Sequence, residues 1–347
     1  MSRGLLRDLG GHGGRPRVGA GRSAARPGRQ PGVAVGRDPR GRGHLRGSGG
    51  ERGVLRRPRR RDPGRRRTDR GDPGAHRGRR GGGAAGATGG RAVTRGAVVT
   101  GGGRGIGVAV ARALTRSGAA VVVTARTEVE IETVAEGLRA AGRTAHAVPC
   151  DVGDPESVDE MAARARELLG TVDIVVNNAG IARSAPFLRV SLDQWETVHR
   201  VNATGPLLVT QAFLPGMVER GWGRIVNVAS VASLQGHRYI TSYAASKHAL
   251  MGMTRCLAAE LAGTGVTVNS VCPSYVDTPM TDANIERIAA TTGRDPEAIR
   301  EGLEEMQPGG RLITADEVAQ AVMTFIPDAA ASLQGSELVV RGGSGST

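Results

Sequence analysis

The chain has 347 residues and a formal net charge of +14, but its two parts differ sharply: residues 1–92 carry 25 Arg, no Lys and six acidic residues, while residues 93–347 are net −5. A case for nucleic-acid binding from overall charge therefore concerns the first quarter of the chain and not the body. The absence of any run of 18 apolar residues excludes a membrane-spanning helix, and the three scattered cysteines, Cys150, Cys256 and Cys272, offer neither a disulfide framework nor metal-ligand spacing.

Residues 1–92 contain 26 Gly and no Phe, Trp or Tyr. So few large apolar groups cannot offset the entropy of ordering a backbone, roughly 1–2 kcal/mol per residue, and the segment is expected to be disordered. Its arginines, densest over residues 57–67, could neutralise nucleic-acid phosphates, although no aromatic residue interleaves to stack on bases. A solvated tail or linker is the plainer alternative. A third is a start site placed too early, since Arg, Gly, Ala and Pro are the residues of GC-rich codons. A transit peptide would be richer in Ser than Ser2, Ser23 and Ser48 allow.

From residue 93 onward the pattern changes. Short β-branched runs are predicted as strands at 97–100, 120–124, 145–150, 173–177, 224–230, 266–272 and 337–340. Between them the helical stretches are 106–117, 128–141, 155–169, 192–219, 239–261 and 315–325. Strands apolar on both faces, alternating with helices, predict one doubly wound α/β domain of Rossmann type over residues 93–347, with a seven-stranded parallel sheet.

After the first strand comes Thr100-Gly101-Gly102-Gly103-Arg104-Gly105-Ile106-Gly107, opening into a helix. Glycines at such a turn let the backbone approach a pyrophosphate, whose charge the helix N-terminus favours. The second strand ends at Ala125-Arg126, where an acid would accept from a ribose 2′-hydroxyl and a guanidinium suits a 2′-phosphate. Arg126 and Arg104 thus favour NADP(H) over NAD(H), which stays possible because Arg126 is also an ordinary residue at a solvated helix start. Tyr243 and Lys247 lie four apart in a helical stretch, hence on one face. Lys247 is the only lysine in the chain, a compact flexible charge in a sequence that otherwise uses Arg. Ser230 ends the fifth predicted strand and should face the same crevice as the glycine turn; without a glycine elbow around it, acyl-enzyme chemistry is not expected.

The glycine turn, Asp151-Val152, Asn177-Asn178-Ala179-Gly180, Asn202, Ser230, Tyr243-x-x-x-Lys247 and Cys272-Pro273 resemble, in order and spacing, the short-chain dehydrogenase/reductase family across residues 93–343. The resemblance implies roles residue by residue. Ser230 polarises a substrate carbonyl and Tyr243 moves the proton. Lys247 lowers the Tyr243 pKa and holds the nicotinamide ribose, and Asn202 belongs to a water-linked proton relay. On the cofactor side it implies contacts from Gly101, Gly103, Arg104, Gly105, Ile106 and Gly107. Asp151 and Val152 would meet the adenine, Asn178, Ala179 and Gly180 the adenosine and ribose, and Pro273, Val276 and Thr278 the nicotinamide. Two positions depart from the pattern: Ser274 stands where a glycine is usual, and Arg341 where an acid is common.

The same resemblance is strongest toward 3-oxoacyl reductases and polyketide ketoreductases, with 3-hydroxyacyl-CoA or 3-hydroxybutyrate dehydrogenases as the alternative. It implies hydride transfer without a metal, a mobile lid over residues 281–311, and a homo-oligomer, tetramer or dimer. Arg183, Arg189 and Arg238 are candidates for meeting an acyl-carrier or CoA substrate. Cysteine usage fits a reducing cytoplasm, with no membrane partner.

Overall fold

The structure is a computed structural model that describes residues 94–343. The expectations for residues 1–92 lie outside the described residues. Seven strands, β1 (Gly96–Thr100), β2 (Ala120–Ala125), β3 (Ala145–Pro149), β4 (Ile174–Asn177), β5 (Gly223–Val228), β6 (Val266–Pro273) and β7 (Glu337–Val340), form one sheet in the order β3-β2-β1-β4-β5-β6-β7. Every pairing in it is parallel.

Alternation of side chains along each strand divides the apolar core between the two faces. Val99, Val121, Val123 and Val176 pack with α1 (Gly105–Arg116), α2 (Glu128–Ala140) and α9 (Ala315–Met323). Val98, Val122, Val175 and Ile225 turn the other way, onto α3 (Pro155–Leu169) and α5 (Gly205–Glu219). Because both faces are covered, β1 is buried at every position and reads as an unbroken apolar run. The chain order reverses at β1: β2 and β3 lie to one side, β4 to β7 to the other. The loops leaving β1 and β4 therefore part, and the crevice between them is where an α/β sheet of this kind binds its ligand.

Three local differences from the sequence expectation bear on that crevice. The single helix expected over 192–219 is two: α4 (Leu192–His199) and α5, joined by a π-helical turn at Arg200–Thr204. Pro206 supplies the reason, since it lacks an N–H and its ring collides with the carbonyl four residues back, that of Asn202, in a regular helix. The strand expected to reach Ser230 stops at Val228, and Ser230 caps a short 3-10 turn, Val231–Ser233. Helix α6 (Thr241–Glu260) begins after Tyr239, which has φ +69°, rather than at it. The lid region contains two helices, α7 (Pro279–Thr292) and α8 (Pro296–Glu305), which Arg300 joins by ion pairs to Asp277 at 3.2 Å and to Asp282.

Candidate active site

β1 runs directly into the glycine turn. Gly101 has φ +64°, which L side chains rarely adopt, and a Cβ on Gly107 would stand 2.1 Å from the Gly101 carbonyl oxygen. Helix α1 begins with no acidic residue in its first turn and no side chain capping its N–H groups, which leaves them to an anion. The turn is fastened to the end of β4. Asn178 Nδ2 donates to the carbonyls of Thr100 (2.9 Å) and Gly101 (3.0 Å), while the N–H groups of Asn178 (3.1 Å) and Ala179 (3.0 Å) donate to Thr100 Oγ1. Ile106 packs against the core, Gly103 backs onto Glu130, and the exposed Arg104 lies 4.0 Å from Glu130, a pair of little energetic weight.

On the side of β2 and β3, Arg126 is exposed and takes part in no ion pair among the described residues. Asp151 Oδ1 accepts from Gly153 N (2.9 Å), which folds the chain back after β3. Val152 is buried, and Gly205 packs against it so closely that a Cβ there would meet its side chain at 2.9 Å. Val152 is thus largely a core residue.

The other predicted residues converge beyond β4 and β5. Asn202 is fully buried in the π-helical turn; its Oδ1 accepts from Ile181 N (2.9 Å), and its Nδ2 donates to the Ile181 carbonyl (2.9 Å) and to Ser246 Oγ (3.0 Å). Ser246 Oγ in turn donates to the Tyr243 carbonyl at 2.7 Å. Lys247, 4% exposed, donates from Nζ to the Val228 carbonyl at 2.8 Å, and its Nζ lies 6.0 Å from the Tyr243 ring centroid. A Cβ on Gly180 would lie 3.3 Å from Asn202 Oδ1 and 3.6 Å from Lys247 Nζ, while the neighbouring Ala179 touches Gly101. A continuous path therefore leads from the glycine turn to Lys247. Pro273 ends β6 opposite Val340, the buried Val276 bridges to Ile313, and the Thr278 methyl lies 3.0 Å from where a Gly105 Cβ would stand.

Electrostatics in this pocket favour neutral groups. Burial pushes the Tyr243 hydroxyl above its ordinary range, and a hydrogen bond with Ser230 opposes that rise. Burial lowers Lys247 to about 8. Lys247, which the resemblance casts as lowering the Tyr243 pKa, holds its ammonium 6.0 Å from the Tyr243 ring centroid and donates to the Val228 carbonyl, while burial is the largest influence on the Tyr243 hydroxyl. Burial likewise raises Cys272, which stands 3.7 Å from Ser233 Oγ.

Two residues of the site were absent from the sequence expectation. Ser246 lies three positions after Tyr243, so helical spacing alone could have placed it on the same face. Thr100 could have been found only as the last residue of the strand feeding the glycine turn.

A family model described as short chain dehydrogenase matches residues 95–289. The chain belongs to the short-chain dehydrogenase family. It is therefore an NAD(P)-dependent dehydrogenase or reductase, and the glycine turn, which leads into a helix whose first N–H groups no side chain caps, fits such a cofactor. This short-chain dehydrogenase is 35% identical over 255 residues to a D-β-hydroxybutyrate dehydrogenase of Rhizobium meliloti (strain 1021), covering 72% of this chain and 98% of that protein. It is 40% identical over 247 residues to a 3-oxoacyl-acyl-carrier-protein reductase of Pseudomonas aeruginosa, covering 71% of this chain and 96% of that one. Among solved structures it superposes on a variant of actinorhodin polyketide ketoreductase with NADPH at a TM-score of 0.70 and 38% identity, over 73% of this chain and 98% of that one.

Proposed function

We propose that this short-chain dehydrogenase reduces the carbonyl of 3-oxoacyl thioesters or related polyketide ketones with NADPH. The observation that carries the proposal is the grouping of Asn202, Tyr243 and Lys247, with Ser230 beside Tyr243, at one end of a path that starts at the glycine turn. The turn of Gly101, Gly103, Arg104, Gly105, Ile106 and Gly107 would hold the pyrophosphate through backbone N–H groups. Arg126 would meet a 2′-phosphate, with Asp151 and Val152 beside the adenine and Asn178, Ala179 and Gly180 along the ribose. Pro273, Val276 and Thr278 would border the nicotinamide. When bound, the cofactor supplies the hydride, and the chain supplies orientation and the proton.

Ser230 donates a hydrogen bond to the substrate carbonyl oxygen, where negative charge grows as the carbon is reduced. Tyr243 gives that oxygen its proton. Its raised pKa keeps it protonated at neutral pH, the state from which reduction starts. Lys247, held by the Val228 carbonyl, reaches the ribose, and Asn202 anchors the turn that shapes the proton path. Exposed Phe187, Leu188, Tyr239 and Met280 give the approach an apolar character suited to an acyl chain. The Ala185 N–H donates to the Tyr239 carbonyl at 2.7 Å and joins two of the contributing loops. Arg183, Arg189 and Arg238, all exposed, stand in the same loops and suit a phosphopantetheine or CoA phosphate. The second reading, oxidation of a 3-hydroxy acid or acyl-CoA, is favoured by the identity to the hydroxybutyrate dehydrogenase.

Exposed Leu192, Leu207 and Val218 on α4 and α5 support self-association, and free Cys150, Cys256 and Cys272 suit a reducing cytoplasm. No helix among the described residues is long and apolar enough to cross a membrane. The test follows NADPH absorbance with a panel of 3-oxoacyl thioesters and simple ketones. Turnover should fall by about 10²–10⁴-fold in Tyr243→Phe while the cofactor still binds. Failure of the wild-type protein to bind NADPH would overturn the proposal.

A further inference from the structure

The two positions at which the chain departs from the family pattern, Ser274 after β6 and Arg341 after β7, meet at a third residue. Gln307 follows α8, on the return leg of the lid, and is only 4% exposed. With its amide oriented to satisfy both ends, the oxygen accepts from Tyr275 N at 3.2 Å and the nitrogen donates to the Arg341 carbonyl at 3.3 Å. Ser274 Oγ lies 3.0 Å from the same amide, and Ser274 N donates to the Val340 carbonyl at 2.9 Å. A buried primary amide is costly unless paired, so its place here is explained by the groups it pairs.

Downstream of Gln307 the return leg stays attached to the same turn. A Cβ on Gly309 would stand 2.3 Å from the Gly342 carbonyl oxygen, so backbone lies against backbone. Ile313 N donates to the Tyr275 carbonyl (2.9 Å) and Asp277 N to the Ile313 carbonyl (2.7 Å). Ser274 is not at positive φ, Tyr239 being the only such non-glycine residue among those described, so its side chain is accommodated without backbone strain. The segment so held carries Tyr275, a neighbour of Tyr243, and then Val276 and Thr278.

We propose that Gln307 and Ser274 form a positioning pair: the buried amide clamps the return leg of the lid to the turn after β6 and so fixes Tyr275, Val276 and Thr278 at the nicotinamide end of the site. Ser274 replaces the usual glycine without loss because Gln307 engages its hydroxyl. The consequence for catalysis rests on the hydride-transfer reading above, whereas the clamp itself does not.

The test is a cycle in the full chain of wild type, Ser274→Ala, Gln307→Leu and the double substitution, with two readouts. Hydrogen exchange without cofactor reports the clamp directly. Gln307→Leu should speed exchange about tenfold in peptides spanning residues 274–278 and 307–313, the effect of orphaning a buried polar group, and the double variant should exceed it little. Steady-state kinetics report the consequence: KM for NADPH should rise about tenfold in Gln307→Leu with kcat changed far less, and the two substitutions should combine to less than the product of their separate effects. Gln307→Glu, which keeps the acceptor for Tyr275 N but loses the donor to the Arg341 carbonyl, should fall between wild type and Gln307→Leu. Unchanged exchange in both peptides, or effects that simply multiply, would overturn the pair. If the wild-type protein proved inactive, the exchange data would still decide it.

Discussion

Replacing Asn202 by Ala tests whether the π-helical turn is held by this side chain. Asn202 is fully buried and makes three hydrogen bonds, at 2.9, 2.9 and 3.0 Å. Truncation strips the Ile181 N–H and carbonyl of their partner. Ser246 Oγ loses a donor but keeps its own bond to the Tyr243 carbonyl. Ile181 is only partly buried, so water can reach its groups and each orphan costs about 1 kcal/mol, the low end of the usual range. With the vacated space the total is about 2–4 kcal/mol. At about 2–4 °C per kcal/mol for a domain of this size, the melting temperature should fall by roughly 4–16 °C in a calorimetric scan. Asn202→Asp adds a control without a cavity. Its carboxylate still accepts from Ile181 N but faces the Ile181 carbonyl with no donor, so the variant should regain stability as pH falls and the carboxyl is protonated. A melting temperature within 2 °C of wild type for Asn202→Ala, about 1 kcal/mol at most, would refute the claim that Asn202 holds the turn.

Lys247 is lowered from 10.5 to about 8 in the folded protein, so below pH 8 the fold confines a charge that the unfolded chain leaves in water; this penalty is relieved as pH rises from about 8 to 10.5. Wild type should therefore gain up to about 3 kcal/mol relative to Lys247→Met across that window, measured by denaturant titration at each pH, and parallel curves would contradict it. Gly107→Ala, whose Cβ would meet the Gly101 carbonyl oxygen at 2.1 Å, should displace the glycine turn, abolish NADPH binding by fluorescence titration and lower the melting temperature. By contrast Gly137→Ala, in α2 with nothing within 4 Å of the new Cβ, should stabilise by about 0.5–1 kcal/mol. Arg126→Glu should lower the NADPH to NADH preference in kcat/KM by roughly tenfold, about 1.4 kcal/mol, and an unchanged ratio would remove Arg126 from the cofactor argument.

The sheet was legible because strands buried on both faces leave unbroken apolar runs, as in Ala97-Val98-Val99 and Val121-Val122-Val123. The glycine turn was legible because few side chains other than hydrogen suit its φ angles and close contacts. The break at Asn202 was also written in the chain, as Gly205-Pro206, but a rule that follows apolar spacing alone runs through it. Tyr243 and Lys247 were found by helical spacing, which carries no information on how far water is excluded around them. Gln307 left no local signal at all. Its partners Ser274, Tyr275 and Arg341 lie up to 34 positions away in sequence, and only the closure of β6 against β7 brings them together.

A chain with a single lysine that is 4% exposed has an unusual chemical surface. Reagents that acylate side-chain amines find no lysine on the outside, so coupling to supports, fluorophores or cross-linkers by that route reaches only the chain terminus or the pocket itself. Within the pocket the amine is uncharged, and so nucleophilic, from about pH 8 upward. Amine acylation is then limited to one side-chain adduct per chain, formed in the folded protein at a rate set by access to the crevice and slowed by whatever occupies it.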